Sequence, residues 1–244
     1  WPPGGNVLTL RWTEFAPWGI RIHLFGCGSF IFAIAKVVLP NAVSVTCTYY
    51  SVKSITGVPS GVQHMPDRLT IINFLLFQIG WFVCVLSGAA ELNSLAVIFT
   101  VALLIFHFRF YRWKQTDYKL VLAAILIGVV LDSSWSAWNL MAYQAQTIEP
   151  IAPWWIWCLW INFALTLNHS LSWLLKRRVM AGIFSAIASP VSYYAGSRLG
   201  ALDWLQPEIL IVLLAISWGL AIPLLMTLAN YWRNQESGKQ HAVV

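Results

Sequence analysis

Asp132 is the acidic residue that the chain places deep inside an apolar run, 13 positions beyond Lys119. An ionised carboxylate at the centre of a bilayer costs about 2.5–3.5 kcal/mol on insertion scales, so it must be protonated, paired or turned towards water. The spacing puts Asp132, Ser136 and Asn139 on one helix face, with Trp135 beside them. Such a group serves either as a ligand or proton site inside a bundle, or as a satisfied carboxyl joining helices. A second set of polar residues, Asn162, Thr166, His169 and Ser170, recurs at three-to-four-residue steps within WWIWCLWINFALTLNHSLSWLLKRR, residues 154–178. A histidine there can act as an acid–base group or a metal ligand. The other histidine in the spans, His107, lies at an interface. The two read as a pair without nearby carboxylates, which is a poor metal site, so no metal and no cofactor are expected. Ser170 is no nucleophile signature, because sequence neighbours point to different helix faces.

Counting depth at about 1.5 Å per residue from the flanking cations sorts the intramembrane polar residues into two layers. The deeper layer is a candidate polar pocket of Gln78, Asp132, Asn162, Ser189 and Ser192. The shallower one holds Asn73, Asn168, His169 and Ser185. By this arithmetic Asp132 pairs with Asn162 or Gln78, while His169 sits about 10 Å nearer the cationic side.

These residues need helices through lipid to hold them. The chain has 244 residues, 59% hydrophobic and 10% charged. A soluble domain carries about 25% charged residues, so this composition is that of an integral membrane protein. Apolar runs cover about 69–87, 94–111, 118–143, 154–175, 179–200 and 207–231. None alternates with the period of two that barrel strands require, so the expected fold is all-α, a six-transmembrane-helix bundle. Arg68, Arg109, Arg112, Lys114, Lys119, Lys176, Arg177, Arg178, Arg233 and Lys239 fall at one end of the runs. Arg198 alone falls at the other, beside Glu91, Glu149, Asp203 and Glu208. That asymmetry puts both ends of the bundle in the cytoplasm. The net charge of +6 is distributed as topology signals, not as a basic face, which argues against nucleic acid as a partner. Small residues at Ser185, Ser189, Gly196 and Gly200 suit close helix packing, and Tyr193 and Tyr194 are placed at the outer surface against headgroups. Pro190 and Pro223 fall inside spans, where each frees a carbonyl. Cys27, Cys47, Cys84 and Cys158 form no CxxC, so neither a disulfide framework nor a zinc site is expected.

Residues 1–64 contain no methionine, and the apolar stretch from Ile22 to Ala35 is short for a span. They read as an extension in front of a start at Met65, the competing expectation being an extra short span near 20–39. The six-helix domain then covers 65–232 and a cytoplasmic tail 233–244.

The run INFLLFQIGWFVCVL, the Pro-Trp-Trp approach to LWINFALTLNHSLSWLL (159–175), and SPVSYYAGSRLGAL (189–202) together resemble domain of unknown function 2878, a family of bacterial inner-membrane proteins. The resemblance covers about 65–232. It implies a lipid-related role by association with enzymes that modify membrane fatty acids, and supplies no catalytic residues. The resulting expectation is an inner-membrane protein accessory to membrane-lipid modification or envelope maintenance. Its partners would be membrane lipids and other inner-membrane or lipid-modifying proteins. Two rivals are a small-solute or proton-coupled transporter titrating Asp132, and an intramembrane enzyme acting on a lipid. Against the enzyme stands the absence of HExxH, GxSxG and paired intramembrane acids. Against the transporter stands the lack of an internal repeat.

Overall fold

The computed structural model describes residues 4–6, 51–53 and 68–241. The chain divides into two units, Trp1–Met65 and Pro66–Val244. In the first unit, strands β1 (Gly4–Asn6) and β2 (Ser51–Lys53) pair antiparallel. Both expectations for residues 1–64, the extension and the short span near 20–39, otherwise lie outside the described residues.

The second unit is helical. Its described residues form α1 (Arg68–Ala89), α2 (Asn93–Phe110), α3 (Lys114–Ala137), α4 (Trp154–Ala164), α5 (Arg178–Arg198) and α6 (Pro207–His241). A short antiparallel pair, β3 (Met141–Tyr143) and β4 (Leu202–Trp204), joins the loop after α3 to the loop before α6. Five of the helices, all except α4, are long and apolar enough to cross a membrane. Their polarity is inverted relative to a soluble fold. Ile79, Ile98, Ile105, Leu126, Ile187 and Leu220 are among many large apolar side chains that face outward, while Asn73, His107, Asp117, Asp132, Asn162 and Asn168 are buried. Without a hydrophobic drive between helices in lipid, such buried polar groups and close packing supply the cohesion.

Three of the expected helices differ in extent. The third ends at Ala137 instead of 143, because Asn139 takes a left-handed conformation (φ 53°) and the chain turns into β3. The sixth runs on to His241, so the expected tail from 233 is largely a continuation of the helix. The fourth stops at Ala164 after 11 residues, about 16 Å of rise. Beyond it the bonds step back by three residues: Leu167 N to Ala164 O, His169 N to Thr166 O, Ser172 N to His169 O, Leu174 N to Leu171 O. The local cause is visible in the side chains. Thr166 Oγ1 donates to Phe163 O at 2.6 Å and Ser172 Oγ to His169 O at 2.7 Å, competing for carbonyls that a continuous helix needs.

α4 is nevertheless the axis of the unit, packed against α1, α2 and α3. Glycines on its neighbours make room for it. A Cβ on Gly80 would stand 2.2 Å from Asn162 Nδ2, one on Gly88 2.6 Å from Trp155 Cε2, and one on Gly128 2.2 Å from Trp160 Cγ. The remaining layer is the α5–α6 pair. Gly182 and Gly219 let the two backbones approach, Ser185 Oγ donates to Trp218 O at 2.9 Å, and Ser189 Oγ donates to Leu214 O at 3.1 Å. At the cation-rich end Glu236 Oε2 accepts from Thr116 N (3.0 Å) and Thr116 Oγ1 (2.6 Å), while Arg233 lies 4.4 Å over Trp113. These contacts fasten the end of α6 to the start of α3.

Candidate functional site

Two polar centres lie inside the helical unit. The first surrounds Asp132, which is completely buried. Tyr193 on α5 and Tyr143 at the end of β3 both donate to Oδ1, the latter at 2.7 Å, and Trp160 Nε1 on α4 donates to Oδ2 at 2.7 Å. Burial, reinforced by the adjacent carboxylate, pushes the Tyr143 phenol well above its usual range, so it remains a donor. The Trp160 indole stacks on Trp218 with ring centroids 4.4 Å apart. Asp132 therefore joins α3, α4, α5 and the β3–β4 pair through three neutral donors.

This corrects the expected pairing. Asn162 donates to Phe77 O at 3.1 Å, and Gln78 Nε2 is buried without a partner among the described residues. Ser192 Oγ accepts from Trp81 Nε1 at 3.0 Å, and Ser189 belongs to the α5–α6 contact. The five residues of the deeper layer thus make no hydrogen bond to one another among the described residues. Depth along a helix says nothing about azimuth, and large aromatic donors reached the carboxylate ahead of the amides. Tyr193, assigned to the headgroup region by its place near Arg198, is in fact buried.

The second centre joins residues from three segments. Asp117 sits in the first turn of α3, His107 in the last turn of α2, and Asn168 and His169 in the turns that follow α4. His107 Nε2 and His169 Nε2 each lie 2.8 Å from Asp117 Oδ2, and Asn168 Nδ2 donates to Oδ1 at 2.7 Å. The side chains of His107 and Asp117 are each 1% exposed and that of His169 is 9% exposed. Tyr111 stacks on His107 at 4.5 Å and meets His169 edge-on at 4.6 Å, which holds both ring planes. Tyr111 in turn donates to Leu69 O at 2.8 Å.

Asn73 braces this centre from α1. Its Nδ2 donates to Leu165 O at 3.0 Å, and its Oδ1 accepts from Ser170 Oγ at 2.7 Å. Ser185, assigned to the same layer, lies instead at the α5–α6 contact. The reading of two histidines without a nearby carboxylate does not hold: Asp117 stands between them. Asp117 falls one residue before the apolar run expected from 118, so it was not counted among the residues inside the spans. The available clue was an acid in the first turn of a helix, across a short connection from the last turn of α2 that carries His107.

Residues 70–224 match the model of a family described as protein of unknown function (DUF2878). The chain belongs to this family. The matched region contains both centres of the family member, from Asn73 on α1 to Trp218 on α6. Neither a curated protein nor a solved structure matches the chain.

Chemically, the two centres differ. Every donor around Asp132 is a neutral phenol or indole, and the carboxylate is enclosed. Around Asp117 the partners are imidazoles, whose second ring nitrogens can take or release a proton. A carboxylate that orients an imidazole through one nitrogen leaves the other as base or ligand.

Proposed function

We propose that this protein is a multi-pass protein of the bacterial inner membrane, accessory to membrane-lipid modification, whose working centre is His107–Asp117–His169. The observation that carries this reading is the convergence of two imidazoles, one buried (His107) and one partly exposed (His169), on one buried carboxylate. The centre sits at the cation-flanked end of the helices, beside Arg109, Arg112 and Lys114. That placement is at headgroup depth, where an acid–base centre would meet lipid esters or a lipid-modifying partner. The same cation asymmetry supports six crossings with both ends of the bundle cytoplasmic, α4 and the turns to 177 making the fourth. Broken helices of this kind are tolerated where protein covers the non-helical backbone. Lipids and other membrane proteins are the partners this reading implies; nothing in the charge distribution favours nucleic acid.

A transporter titrating Asp132 is the less supported alternative, because three donors from separate segments saturate that carboxylate inside the packed bundle. The proposed role is tested by replacing Asp117 with Asn and His169 with Gln in cells, followed by fatty-acid and headgroup analysis of the membrane. Altered lipid composition with normal protein levels is expected. Unchanged lipids at normal protein levels would exclude the role. Reporter fusions at the two ends of the bundle check the orientation, and an external report from either end would overturn it.

A further inference from the structure

We infer that His107, Asp117 and His169 form a binding site for a divalent first-row transition ion such as Zn²⁺. The inference rests on reading this cluster as the working centre, and concerns what the centre holds. One ligand-type atom from each of the three residues lies within 4.8 Å of the others. Two imidazoles and a carboxylate are a donor set that such ions favour over Mg²⁺ or Ca²⁺. With metal–ligand bonds of about 2.0–2.1 Å, ligand atoms of a tetrahedral site stand roughly 3.4 Å apart. The two nitrogens at 2.8 Å from Asp117 Oδ2 therefore need to withdraw by roughly 0.6 Å each. His169, the most exposed of the three, offers both that freedom and access from outside.

A second observation points the same way. Asn168 Oδ1 is buried and has no hydrogen-bond partner among the described residues, although its amide nitrogen holds Asp117 Oδ1 at 2.7 Å. A buried acceptor without a donor is costly. Beside this cluster, an ion or an ion-bound water would supply the missing positive partner. Asn168 then acts as the outer residue that orients the ligating carboxylate, as hydrogen-bonded carboxylates at metal sites require.

The proton count closes. In the hydrogen-bonded form each neutral imidazole donates Nε2–H to the carboxylate. On ion binding the proton resides on Nδ1 and the Nε2 lone pair ligates, so each ring stays neutral. Two nitrogens and one oxygen leave a fourth position for water or another oxygen ligand.

The test uses the full chain, purified in detergent, stripped with a chelator and titrated with Co²⁺, which has visible d–d bands. The expected result is about one Co²⁺ per chain, displaced by Zn²⁺. Asn168→Ala, which keeps all three ligands, is expected to weaken binding by about 10–100-fold. Asp117→Asn and His169→Gln should abolish the bands. A wild-type protein that takes up no Co²⁺ and gains no thermal stability with Zn²⁺ overturns the inference, whether or not any variant folds. So does binding that Asp117→Asn and His169→Gln leave intact. The two readings fail separately: Co²⁺ binding with unchanged lipids in the Asp117→Asn strain sinks the lipid role alone. Altered lipids without metal uptake sink the metal site alone.

Discussion

Asp132 offers the sharpest test of the packing, through a double-mutant cycle with Trp160. In Asp132→Asn the new amide keeps one oxygen, which can still accept from Tyr143 and Tyr193. Its nitrogen then replaces Oδ2 and meets Trp160 Nε1, 2.7 Å away, so two donors face each other in a buried site. Loss of a buried hydrogen bond, with the donor left unsatisfied, costs about 1–3 kcal/mol. Trp160→Phe removes the same donor from the other side. It also gives up part of the stack on Trp218 and the contact over Gly128, for about 2–4 kcal/mol. In the double variant no donor faces the amide nitrogen, so the combined cost should fall short of the sum by about 1–2 kcal/mol. Coupling between buried polar partners in membranes reaches about 1.7 kcal/mol in measured cycles. Reversible unfolding in mixed micelles of increasing SDS content supplies the four free energies. Costs that add to within about 0.5 kcal/mol would refute the claim that Trp160 pins this carboxylate.

Gly128→Ala forces a Cβ against Trp160 and should destabilise the fold by about 1–3 kcal/mol. Gly238→Ala, with open space around it, should be neutral or gain up to about 1 kcal/mol of helix propensity; the same micelle titration compares them. Asn73→Ala removes the brace to Leu165 and Ser170, so amide exchange over 165–175 should speed up while α1 and α5 stay protected. Ser185→Ala and Ser189→Ala each delete a bond to an α6 carbonyl. Each should cost about 0.6 kcal/mol in the same micelle titration, the typical value for an interhelical hydrogen bond in a membrane.

Much of the helical frame was readable in the chain because hydropathy and length suffice for it. The runs around 69–87, 94–111, 179–200 and 207–231 each contain most of an observed helix, since an apolar stretch of that length must satisfy its backbone internally. The break after Ala164 was less legible. Asn162, Thr166, His169 and Ser170 announced a polar stripe on a helix, yet the Thr166 and Ser172 hydroxyls donate to carbonyls three residues back, where the backbone leaves the α-helical path. Counting depth at a constant rise then ceased to describe where Asn168 and His169 lie.

The same distinction separates what each level determines. Composition and the length of its apolar runs mark this chain by themselves as a membrane protein, and the ten cations against one from residue 65 onward are the basis of the proposed orientation. These are one-dimensional properties, imposed by the thickness and polarity of lipid on any helix that crosses it. Which side chains meet is a three-dimensional matter. Asp117 is 10 residues from His107 and 52 from His169, and Asp132 is 61 from Tyr193. No spacing rule links such positions. Only the tertiary packing brings them together, with α4 seated against the glycines of α1 and α3 and α5 laid against α3 at Tyr193. That packing turned Asp132, the residue most conspicuous in the sequence, into a pinned joint, and made an ordinary-looking interfacial acid the centre of the candidate site.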